Sequence, residues 1–381
     1  MESNAILIDG WPLGMGGVGV GSFATRLITA LAARRTELPG ELHVLLPKFF
    51  EPDIPDEFRK TVPLKFISSP KTIRPLTDQA VWQQRLGWYA RRSNAMLICP
   101  GPFYSIRAPR RLVVCHHDRI YHYWPQYLAR SRFRRWLVGR SESFLKRTTL
   151  VITGSLHARK ELREISGMEQ RRIEVIPHWL PDGYDPQNAR RDAYRVREKY
   201  NLPDVFWLYV GGYDVRKNLH VLLAAYAAVR DRNPPPLVMA GKLPPTAPYY
   251  FDVEKSLRDL RLNDREVIRP GLIASADMPG LFGGASLMIY PSAHEGFGLP
   301  PMEAMGCGCT VICADNTSLP EVVSDASYRF GASTPEGLIR IMTGHLDQPL
   351  PFNPSFRREH FDTHTAISRY ICFIREVWAT T

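Results

Sequence analysis

The chain has 381 residues, of which 44% are hydrophobic and 23% charged, with a formal net charge of +11. That length suits two domains of roughly 150–200 residues each, and the composition excludes a disordered or low-complexity chain. No apolar run approaches the roughly 18 residues of a spanning helix, and the N-terminal MESNAILIDGW lacks the basic region of a signal peptide, so a cytoplasmic location is expected.

Short apolar runs alternate with amphipathic stretches along the whole chain, the pattern of parallel sheets with helices on both faces. The first run, Ala5–Ile8, leads into WPLGMGGVGVGSF and a helix over Phe23–Arg34. Gly14, Gly16 and Gly19 match G-x-G-x-x-G. The second strand, Leu42–Leu46, ends in Pro47-Lys48 with no acid for a ribose, which disfavours NAD or FAD. A loop with no side chains at Gly16 and Gly17, opening a helix, lets backbone N–H groups approach a phosphate or a sugar; a plain surface loop is the alternative. Strands over Ala95–Cys99 and Leu112–Cys115 follow, the second ending in His116, His117 and Asp118. These are either ligand-facing groups or polar strand caps; general-base or metal chemistry would suit them, but no third metal ligand lies nearby in sequence.

Seven cations and one acid then fall between Arg130 and Arg147, interleaved with Phe133, Trp136, Leu137 and Phe144. The stretch is either a solvated helix face over a core stripe or a basic amphipathic helix meeting anionic lipid headgroups or an anionic substrate. No RNP, KH or zinc-finger pattern supports a nucleic-acid partner. Strands over Leu150–Thr153 and Glu174–Pro177 close the first series.

After a polar, proline-containing stretch (Leu180–Arg191) the alternation restarts. Strands are expected over Phe206–Val210, Leu237–Ala240, Glu266–Ile268, Leu287–Tyr290 and Thr310–Cys313, with helices over Leu219–Arg230, Met278–Gly283 and Phe356–Trp378. The fold class is therefore α/β: two doubly wound, Rossmann-like domains with an interdomain cleft, residues 1–183 and 184–355. Residues 1–185 carry 28 Lys/Arg against 17 Asp/Glu, while residues 186–381 carry 21 of each, so the charge excess belongs to the first half. The cysteines are expected to be buried reduced thiols; Cys307, Cys309 and Cys313 cluster without zinc spacing.

Two loops in the second half carry ligand-type residues. The strand ending at Gly211-Gly212 is followed by Arg216 and Lys217, immediately before a helix expected to be capped by Asn218. A cation at a helix N-terminus costs about 0.3–1 kcal/mol, a conflict that an anion removes. Diphosphate suits an arginine fork, a lysine point charge and helix N–H groups together; two solvated loop cations are the alternative. The second loop, Pro291–Leu299, holds Glu295, and a helix expected over Pro301–Cys307 holds Glu303 in its first turn. Each carboxylate can accept two hydroxyls of a sugar diol. Taken singly, each acid is also explained as a loop acid or as helix-dipole compensation.

The segments YVGGYDVRKNL, PSAHEGFGLPPMEAMGCGCTVI and SLPEVVSDA resemble the donor-domain signatures of family-4 retaining glycosyltransferases of the GT-B fold, with Glu295 and Glu303 matching the Glu–x7–Glu signature. LVVCHHDRIYHYWP, VITGSLHARKEL and GMGGVGVG resemble the family's N-terminal motifs more loosely. The resemblance implies that Arg216 and Lys217 hold the donor diphosphate, Glu303 the nucleoside ribose and Glu295 the transferred sugar. Gly211, Gly212 and the backbone of Gly296, Phe297, Gly298 and Leu299 would line the donor site. His117 would contact the sugar near the reacting carbon, and Gly16 and Gly17 would lie beside the diphosphate and the acceptor. It implies no cofactor and no obligatory metal, only a nucleotide-sugar co-substrate, and a C-terminal helix, 356–381, that crosses back to the first domain. GDP-mannose is the favoured donor, with UDP- and dTDP-sugars as alternatives. The acceptor would be a glycan or lipid-linked glycan; that it is anionic and met at the inner face of a membrane, with residues 130–147 against the surface, is suggested by the charge excess of the first half alone. A sugar-phosphate enzyme of the same fold and a noncatalytic nucleotide-sugar binder are the rival readings. The chain departs from the family where relatives commonly read IPNGVD: here Ile176-Pro177 is followed by His178-Trp179.

Overall fold

The computed structural model describes residues 4–15, 19–54, 56–71, 75–102, 105, 107–128, 135–136, 145, 148–169, 172–242 and 250–380. Gly16, Gly17 and most of the basic stretch 130–147 lie outside these residues. The chain forms two units, Met1–Trp179 with Asp362–Thr381, and Leu180–Phe361.

The first unit is built on a parallel sheet of β1 (Ala5–Asp9), β2 (Glu41–Pro47), β3 (Leu64–Ile67), β4 (Met96–Cys99), β5 (Leu112–Cys115), β6 (Leu150–Thr153) and β7 (Ile173–Val175), in the order β3-β2-β1-β4-β5-β6-β7. The second holds β8 (Trp207–Val210), β9 (Leu237–Ala240), β10 (Val267–Gly271), β11 (Leu287–Tyr290), β12 (Val311–Ala314) and β13 (Arg329–Phe330), in the order β10-β9-β8-β11-β12-β13, also parallel. Strands β4, β5, β6, β9, β11 and β12 are buried at every position, as expected where helices cover both faces of a sheet. Two strands were not anticipated. Lys65 interrupts the apolar run of the edge strand β3, and β13 is too short to carry any periodicity.

The boundary between the units has a local cause. Trp179 packs on Phe23 and Tyr370 in the first unit, whereas the Leu180 N–H donates to Phe361 O at 2.9 Å in the second. The C-terminal helix begins at Thr363, not near Phe356, because the Asp362 side chain caps it by accepting from Thr365 N at 2.7 Å. Residues Arg358–Phe361 form a separate 3-10 turn. Ala366, Ile367, Tyr370, Ile371 and Ile374 of this helix join the core that holds Phe23, Leu27 and Leu31. Cys99, Cys115, Cys307, Cys309 and Cys313 are buried free thiols, whereas Cys372, on the C-terminal helix, is exposed.

The stretch expected to be a break also opens a helix. Asp185 caps Pro186–Tyr200 by accepting from Gln187 N at 3.0 Å and Asn188 N at 2.9 Å, with Pro186 preset for the first turn. Helix Met278–Gly284 lies tightly on it. A Cβ at Gly280 would sit 2.7 Å from Val196 Cγ2, and one at Gly283 would sit 2.6 Å from the Ala189 carbonyl. Buried Asp277 fixes the approach, accepting from Arg195 Nη1 at 2.7 Å, Lys199 Nζ at 2.6 Å and Tyr200 Oη at 2.8 Å. Gly283→Val should overpack this contact and lower stability by about 1–3 kcal/mol. Urea titration checks this; an unchanged midpoint would show that the two helices are not this close.

Candidate functional site

The second sheet reverses its strand order between β8 and β11, and the loops leaving those two strands hold the candidate residues. After β8 the chain passes Gly211 and Gly212, makes a 3-10 turn over Val215–Lys217 and enters helix Leu219–Ala228. Close packing selects Gly211 and Gly241. A Cβ at Gly211 would sit 2.6 Å from the Tyr209 hydroxyl, and one at Gly241, after β9, would sit 1.9 Å from Gly211 O. The Tyr209 hydroxyl donates to Gly212 O at 2.6 Å and holds the loop. Asn218 occupies the N-cap position in a left-handed conformation (φ 60°), but its side chain makes no cap hydrogen bond. Its amide donates instead to Ala332 O at 2.6 Å, so the expected capping interaction is replaced by a tertiary one.

After β11, Ala293 N donates to Arg216 O at 2.8 Å and joins the two loops. Gly298, with φ 110°, starts the next helix at Leu299, earlier than the expected Pro301. Glu303 therefore lies beyond the first turn, where helix-dipole compensation no longer accounts for it. It is buried all the same, at 7% exposure. The Phe297 ring packs edge-on against Phe361 with centroids 6.3 Å apart, and Leu299 packs on the core.

Arg216 and Lys217, expected to hold the diphosphate, meet Glu295, expected to hold the sugar, in one cluster that does not include Glu303. Lys217 Nζ donates to Glu295 Oε1 at 2.6 Å and to the Tyr290 hydroxyl at 2.9 Å. The Tyr290 hydroxyl donates to the same Glu295 oxygen at 3.0 Å. Arg216 Nη1 lies 3.1 Å from that oxygen and donates to His294 O at 3.0 Å, while Arg216 Nε lies 3.2 Å from Asp214 Oδ1. Burial pushes the Glu295 carboxyl up, but Lys217 and Arg216 outweigh it and hold the group at about 2. Burial pulls the Lys217 ammonium down, as does Arg216, with Glu295 and Asp214 opposing. Two cations balance two acids, so the cluster presents directed donors, not a net positive charge.

Tyr290, Asp214 and Gly241 were not anticipated. Tyr290 had a readable signal, a hydroxyl closing an apolar run at a strand's carboxyl end. The contact between Gly241 and Gly211 had none, because it joins separate strands.

In the first unit, His117 follows β5, and its Nε2 lies 2.8 Å from Pro100 O, just after β4. Asp118 Oδ1 accepts from Ile120 N at 3.2 Å, a turn-forming role. Gly14 abuts Phe50, where a Cβ would sit 2.6 Å from the ring. Gly19, with φ 57°, opens helix Val20–Ala33. Of the basic stretch, Trp136 is 53% exposed and Leu145 is buried. No helix among the described residues is long and apolar enough to cross a membrane.

Removing the Glu295 charge leaves buried Lys217 without its carboxylate, while Arg216 keeps Asp214, so Glu295→Ala should cost roughly 3 kcal/mol at pH 7. The depressed carboxyl fixes the sign of the pH dependence. Its stabilisation is complete above the ordinary value of 4.5 and is lost as the pH falls towards 2. Denaturant titrations at pH 7 and pH 2.5 should show the gap between wild type and variant closing in acid. A constant gap would mean that the cations do not hold Glu295.

Residues 18–182 match the model of Glycosyltransferase Family 4, and residues 190–348 match that of Glycosyl transferases group 1. The chain is 32% identical, over 64% of its length, to O-antigen chain mannosyltransferase B of Escherichia coli. It is 25% identical, over 83% of its length and 83% of the relative, to O-antigen chain mannosyltransferase RfbU of Salmonella typhimurium. The match spans less than two thirds of the Escherichia coli relatives: 63% of mannosyltransferase B, and 27% of the serotype-specific mannosyltransferase WbdA, at 29% identity over 57% of this chain. In fold, the chain resembles sucrose-phosphate synthase from Thermosynechococcus elongatus, with a TM-score of 0.76 at 18% identity over 99% of both chains. With two Rossmann-like units and a family match over each, the chain belongs to the GT-B glycosyltransferases, with a family 4 first half and a group 1 second half.

Proposed function

We propose that this glycosyltransferase is a retaining mannosyltransferase that moves mannose from GDP-mannose to a glycan or lipid-linked glycan. The observation that carries the reading is the Arg216–Lys217–Glu295–Tyr290 cluster at the ends of β8 and β11. In transfer, the acceptor hydroxyl oxygen bonds to the sugar's anomeric carbon. The carbon–phosphate-oxygen bond breaks on the same face, and the departing diphosphate takes the electron pair and the acceptor's proton. Charge grows on that diphosphate, and preorganised buried donors stabilise it. Arg216 and Lys217 are such donors once Glu295 exchanges its contacts with them for hydroxyls of the sugar. Glu303 takes the ribose, Gly211, Gly212 and Gly296–Leu299 offer close backbone, and His117 contacts the sugar. This reading assigns no metal to the site. O-antigen mannosyltransferases among the relatives support mannose and a bacterial glycan acceptor.

Thermal melting with GDP, UDP, dTDP and ADP, without added metal, tests the donor. A ligand at about 100 times its Kd adds roughly 2.7 kcal/mol of stability. GDP alone should raise the Tm, and Arg216→Ala should abolish the shift. A shift with UDP alone would replace mannose by a UDP-linked sugar, and no shift with any nucleotide would overturn the site. Lys217→Ala should lower turnover at least tenfold, since a lost charge-assisted hydrogen bond costs about 1.5–3 kcal/mol. Near-wild-type kinetics would remove Lys217 from the leaving-group role.

A further inference from the structure

The proposed reaction leaves the His178-Trp179 pair without a task. The two residues are 6% and 3% exposed in the first unit. The His178 ring lies against that of His117, with centroids 5.6 Å apart and planes 29° apart. Phe23 stands edge-on to both, at 4.6 Å from His117 and 4.7 Å from His178, and Trp179 backs Phe23 at 5.9 Å. Gly154 makes the space, since a Cβ there would sit 2.9 Å from His178 Nε2.

His117 Nε2 faces Pro100 O at 2.8 Å. A carbonyl oxygen only accepts, so Nε2 carries the proton, and Nδ1 of the neutral ring holds a lone pair. We infer that His178 is a positioning residue for sugar transfer: stacked on His117, it holds that imidazole against Pro100 O, in the one orientation and neutral tautomer this carbonyl selects, with Nδ1 ready to accept a hydroxyl of the sugar. The sugar contact rests on the proposed function; the ring packing does not.

Charge placement agrees. Burial draws His117 below its ordinary value, against the pull of Pro100 O and Asp118. Burial, then His117, then Arg26 draw His178 well down. Burial, with Arg119 and His117 beside it and Glu161 opposing, takes the adjacent His116 to about 3. All three rings are therefore neutral at pH 7, and a proton on either member of the stack would be buried against a second imidazole. A small polar side chain at position 178 removes the ring and opens that face of His117 to water. The ordinary imidazole value near 6.5 then returns.

The test uses the full chain with isotope-labelled histidine, the ring signals being assigned through His117→Gln. In wild type and in His178→Phe, which keeps a stacked ring, ring NMR should show His117 as a single Nε2–H tautomer with a titration midpoint below the ordinary imidazole value. In His178→Asn, His117 should average between tautomers and titrate near 6.5. Transfer from GDP-mannose should then have a kcat/KM that begins to fall at lower pH in wild type and His178→Phe than in His178→Asn. For His178→Asn it should fall about tenfold at pH 5.5 relative to pH 8, the fraction left neutral one unit below 6.5. Should the asparagine variant not fold, Gly154→Ala displaces the same ring. A His117 that stays in one tautomer without its stacked partner, or a pH profile parallel to wild type, would overturn the inference. If no donor turns over, the transferase reading falls while the NMR titration still decides the role of His178.

Discussion

Glu295 is a carboxylate held out of water between a lysine and an arginine, and the second unit's candidate site is arranged around that contact. Burying an isolated charge costs several kcal/mol, so each member of the group requires the others. The tyrosine hydroxyl at the end of β11 completes the coordination of Lys217 and Glu295. Asp214 faces Arg216 from the other side. The loops after β8 and β11 are therefore fixed relative to each other before any ligand arrives, by an ion-pair cluster and by the Ala293–Arg216 backbone hydrogen bond. A site made this way has its donors oriented in advance, which is what stabilisation of a leaving diphosphate requires.

The same geometry shows how a balanced cluster would serve an anionic ligand in the proposed function. A single oxygen of Glu295 takes the contacts from Lys217, Arg216 and Tyr290. A phosphate oxygen offers those donors an equivalent acceptor, and the displaced carboxylate is then free for hydroxyl groups. In the proposed function ligand entry would be an exchange of acceptors, and in the free chain Glu295 and Asp214 compensate Lys217 and Arg216.

Both units use the reversal of strand order in a parallel sheet. In the second, β8 and β11 flank it; in the first, β1 and β4 do. Asp9, at the end of β1, accepts from Trp11 N at 3.0 Å and Trp82 Nε1 at 2.8 Å and anchors the start of the glycine loop. Pro100, after β4, orients His117, and the C-terminal helix supplies Tyr370 behind Trp179. The departure at residues 176–180 thus places His178 against His117 and Trp179 behind Phe23.

Strand–helix alternation, the glycines at strand ends, the Arg216-Lys217 pair and the Glu295/Glu303 spacing are local in sequence. They carried the α/β class, the two series and the position of the candidate loops, because apolar runs and helix starts are set by neighbours a few residues apart. Tertiary structure decided the rest. Arg216 and Glu295 are far apart in sequence and meet only because β8 and β11 are adjacent in the sheet. Asn218 is drawn from its cap to Ala332, and Gly298 moves a helix start so that Glu303 leaves the first turn. His178 finds His117 because β5 and the segment after β7 end on the same side of one sheet. The sequence by itself determined which residue types stand at each strand end; which of them share a proton, a charge or a ring face was settled by strand order, which no local pattern encodes.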